Sequence, residues 1–395
     1  MTDQTPQTRA ARLAEELRTK GEIRTQAWQE AFAAVPRETF IPYLATYTDG
    51  QGATEYRLHD GTDSSQRDTW LALVYSDTTL ITQLNERPVE EVVTSERGEG
   101  HATSSSTAPG LMARLLETLD VRDGHRVLEI GTGTGFNAAL LSRRLGAQYV
   151  TTIDIDADLT DKARQRLATV GLNPAVHTVD GRQGWLGNAP YDRIMATCST
   201  PHVPYAWVEQ TCDGGKILAN VAGALGGAMV LAEVRDGTAE GRFLPQWAGF
   251  MWARPGFAKA GDIQAQDTEE GSYDTFLPTI GVDALHDRAF TFVLQLALPD
   301  VRPYWARDDQ GGEITGLITL DGSWAEHVNP AGARPAFVEQ GGPRRLWTVA
   351  EDAHVWWEAN RRPDWSAFGL TVTPGGQHVW HGSPGSATKW ALPTS

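Results

Sequence analysis

Cysteine is nearly absent: Cys198 and Cys212 are the two in 395 residues, too few for a disulfide framework, and neither has neighbours at zinc-ligand spacing. Two reduced thiols and no metal are expected. No apolar run approaches the ~20 residues that a membrane-spanning helix needs, and the opening stretch MTDQTPQTRAARLAEELRTKG is polar, helical in pattern and without the apolar core of a signal peptide. The expectation is a cytoplasmic protein with no membrane partner. Positive charge is scarce too, 34 Lys plus Arg against 50 Asp plus Glu, for a net charge of −16. That balance opposes a broad phosphate-binding surface and argues against nucleic acid as a partner. RRLW (Arg344–Trp347) and NRRPDW (Asn360–Trp365) read as solvated arginines. His101, His202, His354, His378 and His381 have no carboxylate at a spacing that would single one out, so none is assigned a role.

What is present is enough apolar residue, 41% with 9% aromatic, to fill the cores of two or three domains. From Gly124 to about Val221, short apolar runs alternate with amphipathic stretches: RVLEIG, a helix from Phe136 to Leu145, YVTTIDID, a helix from Leu159 to Val170, then AVHTVD, YDRIMATCS and GKILANV. That order predicts a doubly wound, Rossmann-like α/β fold with a parallel sheet. A helical segment from Thr8 to Phe32 precedes it, followed by VPRETFIP and a polar stretch from Tyr47 to Asp68. Two strand-like runs around RDGTAEG predict an antiparallel hairpin. The composition changes near Pro255, because eight of the fourteen tryptophans fall between Trp305 and Trp390. The expected division is therefore 1–255, carrying N-terminal helices and an insertion at 43–103, and an additional C-terminal domain at 256–395.

The stretch VLEIGTGTGFNAALL (Val127–Leu141) is a strand running into a glycine turn. A dinucleotide fingerprint would space its glycines G-x-G-x-x-G, whereas here they are Gly131, Gly133 and Gly135, with Phe136 in place of the last. A P-loop would need Gly-Lys-Ser or Gly-Lys-Thr, and no lysine follows. What remains is E-x-G-x-G-x-G, the loop of S-adenosylmethionine-dependent methyltransferases, introduced by Glu129. Asp154 ends the next strand 23 residues after Gly131, where a carboxylate can accept from both ribose hydroxyls. Asp180, with Gly181 beside it, ends the third strand and is placed to accept from an adenine amino group.

With these motifs in hand, AFAAVPRETFIP (Ala31–Pro42), VYSD (Val74–Asp77), STAPGLMARLLETL (Ser106–Leu119), the glycine loop, DGRQGW (Asp180–Trp185) and VPYAWVEQTCDGGKILANV (Val203–Val221) together resemble the protein-L-isoaspartate O-methyltransferase family. The resemblance implies a class I methyltransferase sheet, S-adenosyl-L-methionine as cofactor, and a peptide or protein substrate with an Asp or isoAsp carboxylate. It also places Thr107 where the repair enzymes carry a substrate-touching serine. The extra serines of ATSSSTAP, the long 43–103 segment and the tail resemble a branch that works in ribosomal peptide (graspetide or lanthipeptide) pathways. Members of that branch esterify an aspartate that then closes to a succinimide (aspartimide).

A carboxylate with a reference pKa near 4 is already an ionised nucleophile at neutral pH, so no general base is needed, and in-line positioning supplies most of the catalysis. Ser105, Ser106 and Thr107 are the candidate substrate-handling residues, since neutral hydroxyls hold a carboxylate without quenching it. The same stretch also reads as a cap on the helix starting at Pro109. The leading expectation is aspartate methylation in a modified precursor peptide, with the C-terminal domain recognising the peptide. The alternatives are isoaspartate repair and a non-catalytic peptide-binding scaffold.

Overall fold

The computed structural model describes residues 5–49, 54–93, 100–254, 273–332 and 334–393. The chain divides into two compact units, one of residues 1–198 and 209–218, the other of 199–208 and 219–395. Pro255, the compositional boundary, lies outside the described residues.

The first unit opens on α1 (Pro6–Thr19), α2 (Gln26–Ala34) and α3 (Arg37–Phe40). The single helical segment read from Thr8 to Phe32 is thus two helices. A small sheet follows, from β1 (Tyr43–Asp49), β2 (Thr54–Asp60), β3 (Leu80–Leu84), β4 (Arg87–Pro88) and β5 (Ala102–Ser106), with α4 (Arg67–Val74) and α5 (Val89–Val92) among them. Its order is β2-β1-β3-β4, with β5 also on β3, pairing Leu80 with Ser106 and Ile81 with Ser105. The serine-rich stretch, read as a loop capping a helix, is therefore a strand. After α6 (Pro109–Leu119) comes the parallel sheet of β6 (Val127–Ile130), β7 (Val150–Asp154), β8 (Ala175–Thr178) and β9 (Tyr191–Thr200), ordered β8-β7-β6-β9 with β10 (Thr211–Ala222) next. β6 is parallel to both β7 and β9, and β7 to β8. The sheet is wound by α7 (Phe136–Leu145) and α8 (Ala157–Thr169). All four residues of β6 are buried, as a central strand covered on both faces requires, and one of the four is an acid, Glu129.

In the second unit, after the short α9 (Tyr205–Glu209), the expected hairpin is β11 (Gly227–Arg235) and β12 (Thr238–Phe243), closed by Arg235 opposite Thr238. β12 pairs antiparallel with β18 (Phe368–Thr373), which pairs with β19 (Gly376–His381), and that with β20 (Lys389–Leu392). This pairing draws 227–254 into the second unit rather than the first. A separate sheet has the order β13-β17-β16-β15-β14, formed by β13 (Asp274–Phe276), β14 (Arg302–Arg307), β15 (Glu313–Ile318), β16 (Trp324–Asn329) and β17 (Phe337–Gly341), alongside α10 (Arg288–Ala297) and α11 (Leu346–Ala359). Trp347, Trp357 and Trp380 are core residues. Trp305 is 73% exposed.

Candidate active site

The glycine turn leaves β6 under strict backbone control. The amides of Gly131 and Thr132 both donate to the Ile153 carbonyl at the end of β7, at 2.8 and 3.1 Å, and Gly131, Gly133 and Gly135 all have positive φ. The Gly133 amide donates to Asp154 Oδ2 at 3.0 Å, and the Asp156 amide donates to Asp154 Oδ1 at 3.2 Å. Asp154 therefore stands at the loop and is oriented by it. Asp156 caps α8 through the amides of Asp158 and Leu159.

β5 runs alongside this loop. A Cβ built on Gly133 would lie 3.6 Å from the Ser105 carbonyl oxygen and 3.9 Å from Ser104 Oγ, so the serine strand and the glycine loop are neighbours. Along β5 the burial alternates, Ser104 and Ser106 buried and Ser105 half-buried, as strand geometry dictates. Thr107, just past the strand, is also half-buried. Gln83, at an irregularity of β3 opposite Ser104, donates through Nε2 to Asp156 Oδ2 at 3.1 Å and ties β3 to the cap of α8.

The helix after the serines is capped from elsewhere. Its Ncap residue is Ala108, which has no capping side chain. Instead the Gly110 amide donates to Asp77 Oδ1 at 2.7 Å and the Ala108 amide to Thr79 Oγ1 at 3.2 Å. Lys20 holds the other Asp77 oxygen at 3.2 Å. The expectation that Ser106 or Thr107 caps α6 is corrected here. The Ser106 hydroxyl is instead turned to the buried Arg37 guanidinium, which donates to it at 3.3 Å.

Against known proteins, residues 78–242 match the family described as protein-L-isoaspartate(D-aspartate) O-methyltransferase. A protein-L-isoaspartate O-methyltransferase of Methanothermobacter thermautotrophicus is 32% identical over 209 residues, 52% of this chain and 76% of that one. The chain belongs to this family. A second relative of the same name, from Methanococcus maripaludis, is 45% identical over 126 residues, 31% of this chain and 58% of its own. A solved structure titled protein-L-isoaspartate O-methyltransferase aligns with a TM-score of 0.51 at 20% identity, covering 94% of this chain and 99% of its own. The protein is thus a carboxyl methyltransferase with the class I methyltransferase fold, and S-adenosylmethionine is its methyl donor.

The glycine loop, Asp154 at the end of β7 and Asp180 just beyond β8 are the residues that would hold that cofactor. Close packing enforces glycine at two points: a Cβ on Gly131, in the loop, would meet Thr197 Oγ1 at 2.6 Å, and one on Gly181, after β8, would meet Ile130 Cγ2 at 2.6 Å. Thr197, which the sequence reading passed over, donates from its hydroxyl to the Gly131 carbonyl at 2.8 Å and braces the turn from β9. Asp180 accepts the Arg182 amide at 3.0 Å and is ion-paired with the same guanidinium. That pairing holds its carboxyl below the usual carboxylate range, so an adenine amino group would share this carboxylate with Arg182. Cys198 and Cys212 are both free thiols, and burial pushes the Cys198 thiol up to about 12, keeping it neutral. Among the described residues no group of three or more His, Cys, Asp or Glu could hold a metal. No helix among them is long and apolar enough to cross a membrane.

Asp154→Ala is expected to lower cofactor affinity tenfold or more, since hydrogen bonds to a charged group contribute on the order of 1.5–3 kcal/mol. Asp154→Asn retains an oxygen for the Gly133 amide and should lose less. Calorimetric titration with S-adenosylhomocysteine reads both, and unchanged affinity in a folded Asp154→Ala protein would remove this residue from the site.

Glu129 lies beneath the loop, 1% exposed. Its Oε1 accepts from the Asn137 amide and its Oε2 from the Thr152 hydroxyl, each at 2.7 Å, and Thr132 Oγ1 lies 2.7 Å from Thr152 Oγ1. The carboxyl thus joins β6, β7, α7 and the loop from below. Burial, reinforced by the Asp154 charge, pushes its pKa up to about 7 against the two hydrogen bonds. With the folded value above the unfolded one, the native state binds the extra proton, so stability is lost as pH rises from about 4.5 to about 7. Glu129→Gln should remove that component, on the order of 3 kcal/mol across the window. Denaturant midpoints of both proteins at pH 5 and pH 8 check it, and identical pH slopes would refute it.

Proposed function

We propose that this enzyme methylates the α-carboxylate of isoaspartyl residues in proteins or peptides, the reaction its relatives are named for. The observation that carries the reading is the serine strand lying against Gly133 within the stretch 78–242 that matches the family. The long tail, which suggested a peptide-pathway branch, loses its discriminating force because a solved structure titled as an isoaspartate methyltransferase aligns over 94% of this chain. Aspartate esterification leading to an aspartimide therefore stands second.

When bound, S-adenosylmethionine supplies a sulfonium methyl, which passes to a carboxylate oxygen as the S–CH3 bond breaks, leaving a methyl ester and S-adenosylhomocysteine. The substrate carboxylate needs no base at neutral pH. Ser105 and Thr107 present neutral hydroxyls that orient it, Gly131, Gly133 and Gly135 let the backbone approach the donor, and Asp154 and Asp180 fix its adenosine. Glu129 acts through the loop it supports. The second unit contributes peptide recognition, a role supported by a cavity of about 400 Å³ beside β14 whose lining includes Trp305, His286 and Arg307.

The test is methyl incorporation from labelled cofactor into an isoaspartyl peptide, its aspartyl counterpart and a cyclised precursor peptide. The isoaspartyl peptide should be turned over and the aspartyl one ignored. Turnover of the cyclised peptide alone would overturn this reading in favour of the second.

A further inference from the structure

We infer that Arg37 is a positioning residue that sets the end of β5, with its candidate substrate hydroxyls, in register with the Val74–Thr79 segment and the cofactor loop. The inference rests on the carboxyl methyltransferase reading above and on contacts made wholly within the first unit.

Arg37 opens α3 and is 0% exposed. A buried cation is costly unless its donors are satisfied; here Nη1 and Nη2 have neutral acceptors, whereas Nε has none among the described residues. Nη1 donates to the carbonyls of Val74 at 2.7 Å and Ser76 at 3.0 Å. Nη2 lies 3.4 Å from the Thr78 carbonyl, 3.2 Å from the Thr107 carbonyl, and 3.5 and 3.3 Å from the carbonyl and hydroxyl of Ser106. One planar fork therefore holds the segment that carries Asp77 and Thr79 together with Ser106 at the end of β5 and Thr107 just past it. The guanidinium carbon also lies 5.6 Å from the ring centroid of Phe136, the residue that follows Gly135 and starts α7. Three parts of the site converge on this side chain.

No carboxylate hydrogen-bonds the guanidinium among the described residues, although Asp77 favours its charged form through space. Burial lowers its pKa to about 9, so it remains a cation at neutral pH. The positive charge lies against Ser106 and Thr107, where it attracts an incoming carboxylate without touching it. A direct arginine contact would hold the nucleophilic oxygens more tightly. Lysine cannot substitute, because its ammonium is a point donor that does not span two segments.

The experiment uses the full chain with Arg37→Lys, Arg37→Met and Ser106→Ala, the last removing only one acceptor. For Arg37→Lys the KM for an isoaspartyl peptide should rise tenfold or more, with affinity for S-adenosylhomocysteine within twofold of wild type. Ser106→Ala should shift KM a few-fold in the same direction, and Arg37→Met should be worse than Arg37→Lys. A wild-type KM in folded Arg37→Lys, or parallel losses of KM and cofactor affinity, would overturn the inference. If the wild-type enzyme fails to turn over the isoaspartyl peptide, the substrate reading falls by itself. Amide hydrogen exchange with S-adenosylhomocysteine bound then decides the role of Arg37. Faster exchange at Leu80–Ile81 and Ser105–Ser106 with Leu128–Ile130 unchanged supports it, and unchanged exchange at both pairs refutes it.

Discussion

Gly131→Ala is expected to abolish measurable cofactor binding and methyl transfer, a loss of a hundredfold or more. Gly131 sits at φ +100°, and its added methyl would stand 2.6 Å from Thr197 Oγ1, well inside van der Waals contact. Relief requires either the turn or Thr197 to move. Displacing Thr197 breaks its hydrogen bonds to the Ile130 and Gly131 carbonyls, and displacing the turn breaks the paired amide bonds to Ile153. Each route costs one or two hydrogen bonds of about 1 kcal/mol each in addition to the backbone strain. Cofactor affinity should suffer more than stability, since the turn moves before the sheet does. Gly133→Ala is the comparison: its φ is +52° and its nearest neighbour is at an ordinary 3.6 Å, so the fold should accept it with a smaller loss. Titration calorimetry with S-adenosylhomocysteine, alongside melting curves, distinguishes the two. Wild-type affinity in Gly131→Ala would show that the loop is not the cofactor cradle.

The parallel sheet was legible in the sequence because its strands are short apolar runs between amphipathic stretches, and burial of β6 on both faces leaves no polar alternation to confuse the pattern. The end of β7 was legible for the same reason, since Asp154 marks where its apolar run stops, whereas β8 ends at Thr178, two residues before Asp180. β5 was not legible. TSSST has no apolar residue, and its extended state is imposed by pairing with β3 rather than by its own pattern. The cap of α6 was hidden in another way: Asp77 lies 33 residues before Gly110, beyond any local capping signature. Arg37 was quoted within VPRETFIP, yet an arginine in a short motif reads as surface by default. Only its six acceptor contacts, spread over two distant segments, reveal it as interior. Its signal was the apolar company it keeps, with Val35, Phe40 and Ile41 all buried.

The strand geometry also divides the three candidate hydroxyls, and this changes what a mutation series should show. Ser106 faces inward to Arg37, whereas Ser105 and Thr107 are half-buried and Ser105 lies beside Gly133. Replacing Ser105 and Thr107 together by alanine is therefore expected to lower kcat/KM for the peptide about 30-fold, two neutral hydrogen bonds at about 1 kcal/mol each. Affinity for S-adenosylhomocysteine should be unchanged, because neither hydroxyl belongs to the adenosine-binding set. Ser106→Ala should cost stability as well, since it deprives a buried guanidinium of an acceptor. Thr107→Ser keeps the hydroxyl and should retain most of the activity. Steady-state kinetics with a labelled methyl donor, read beside cofactor titrations and melting temperatures, separates these outcomes. A folded Ser105→Ala, Thr107→Ala protein that methylates the peptide at the wild-type rate would mean that β5 only walls the cofactor loop and that the carboxylate is held elsewhere.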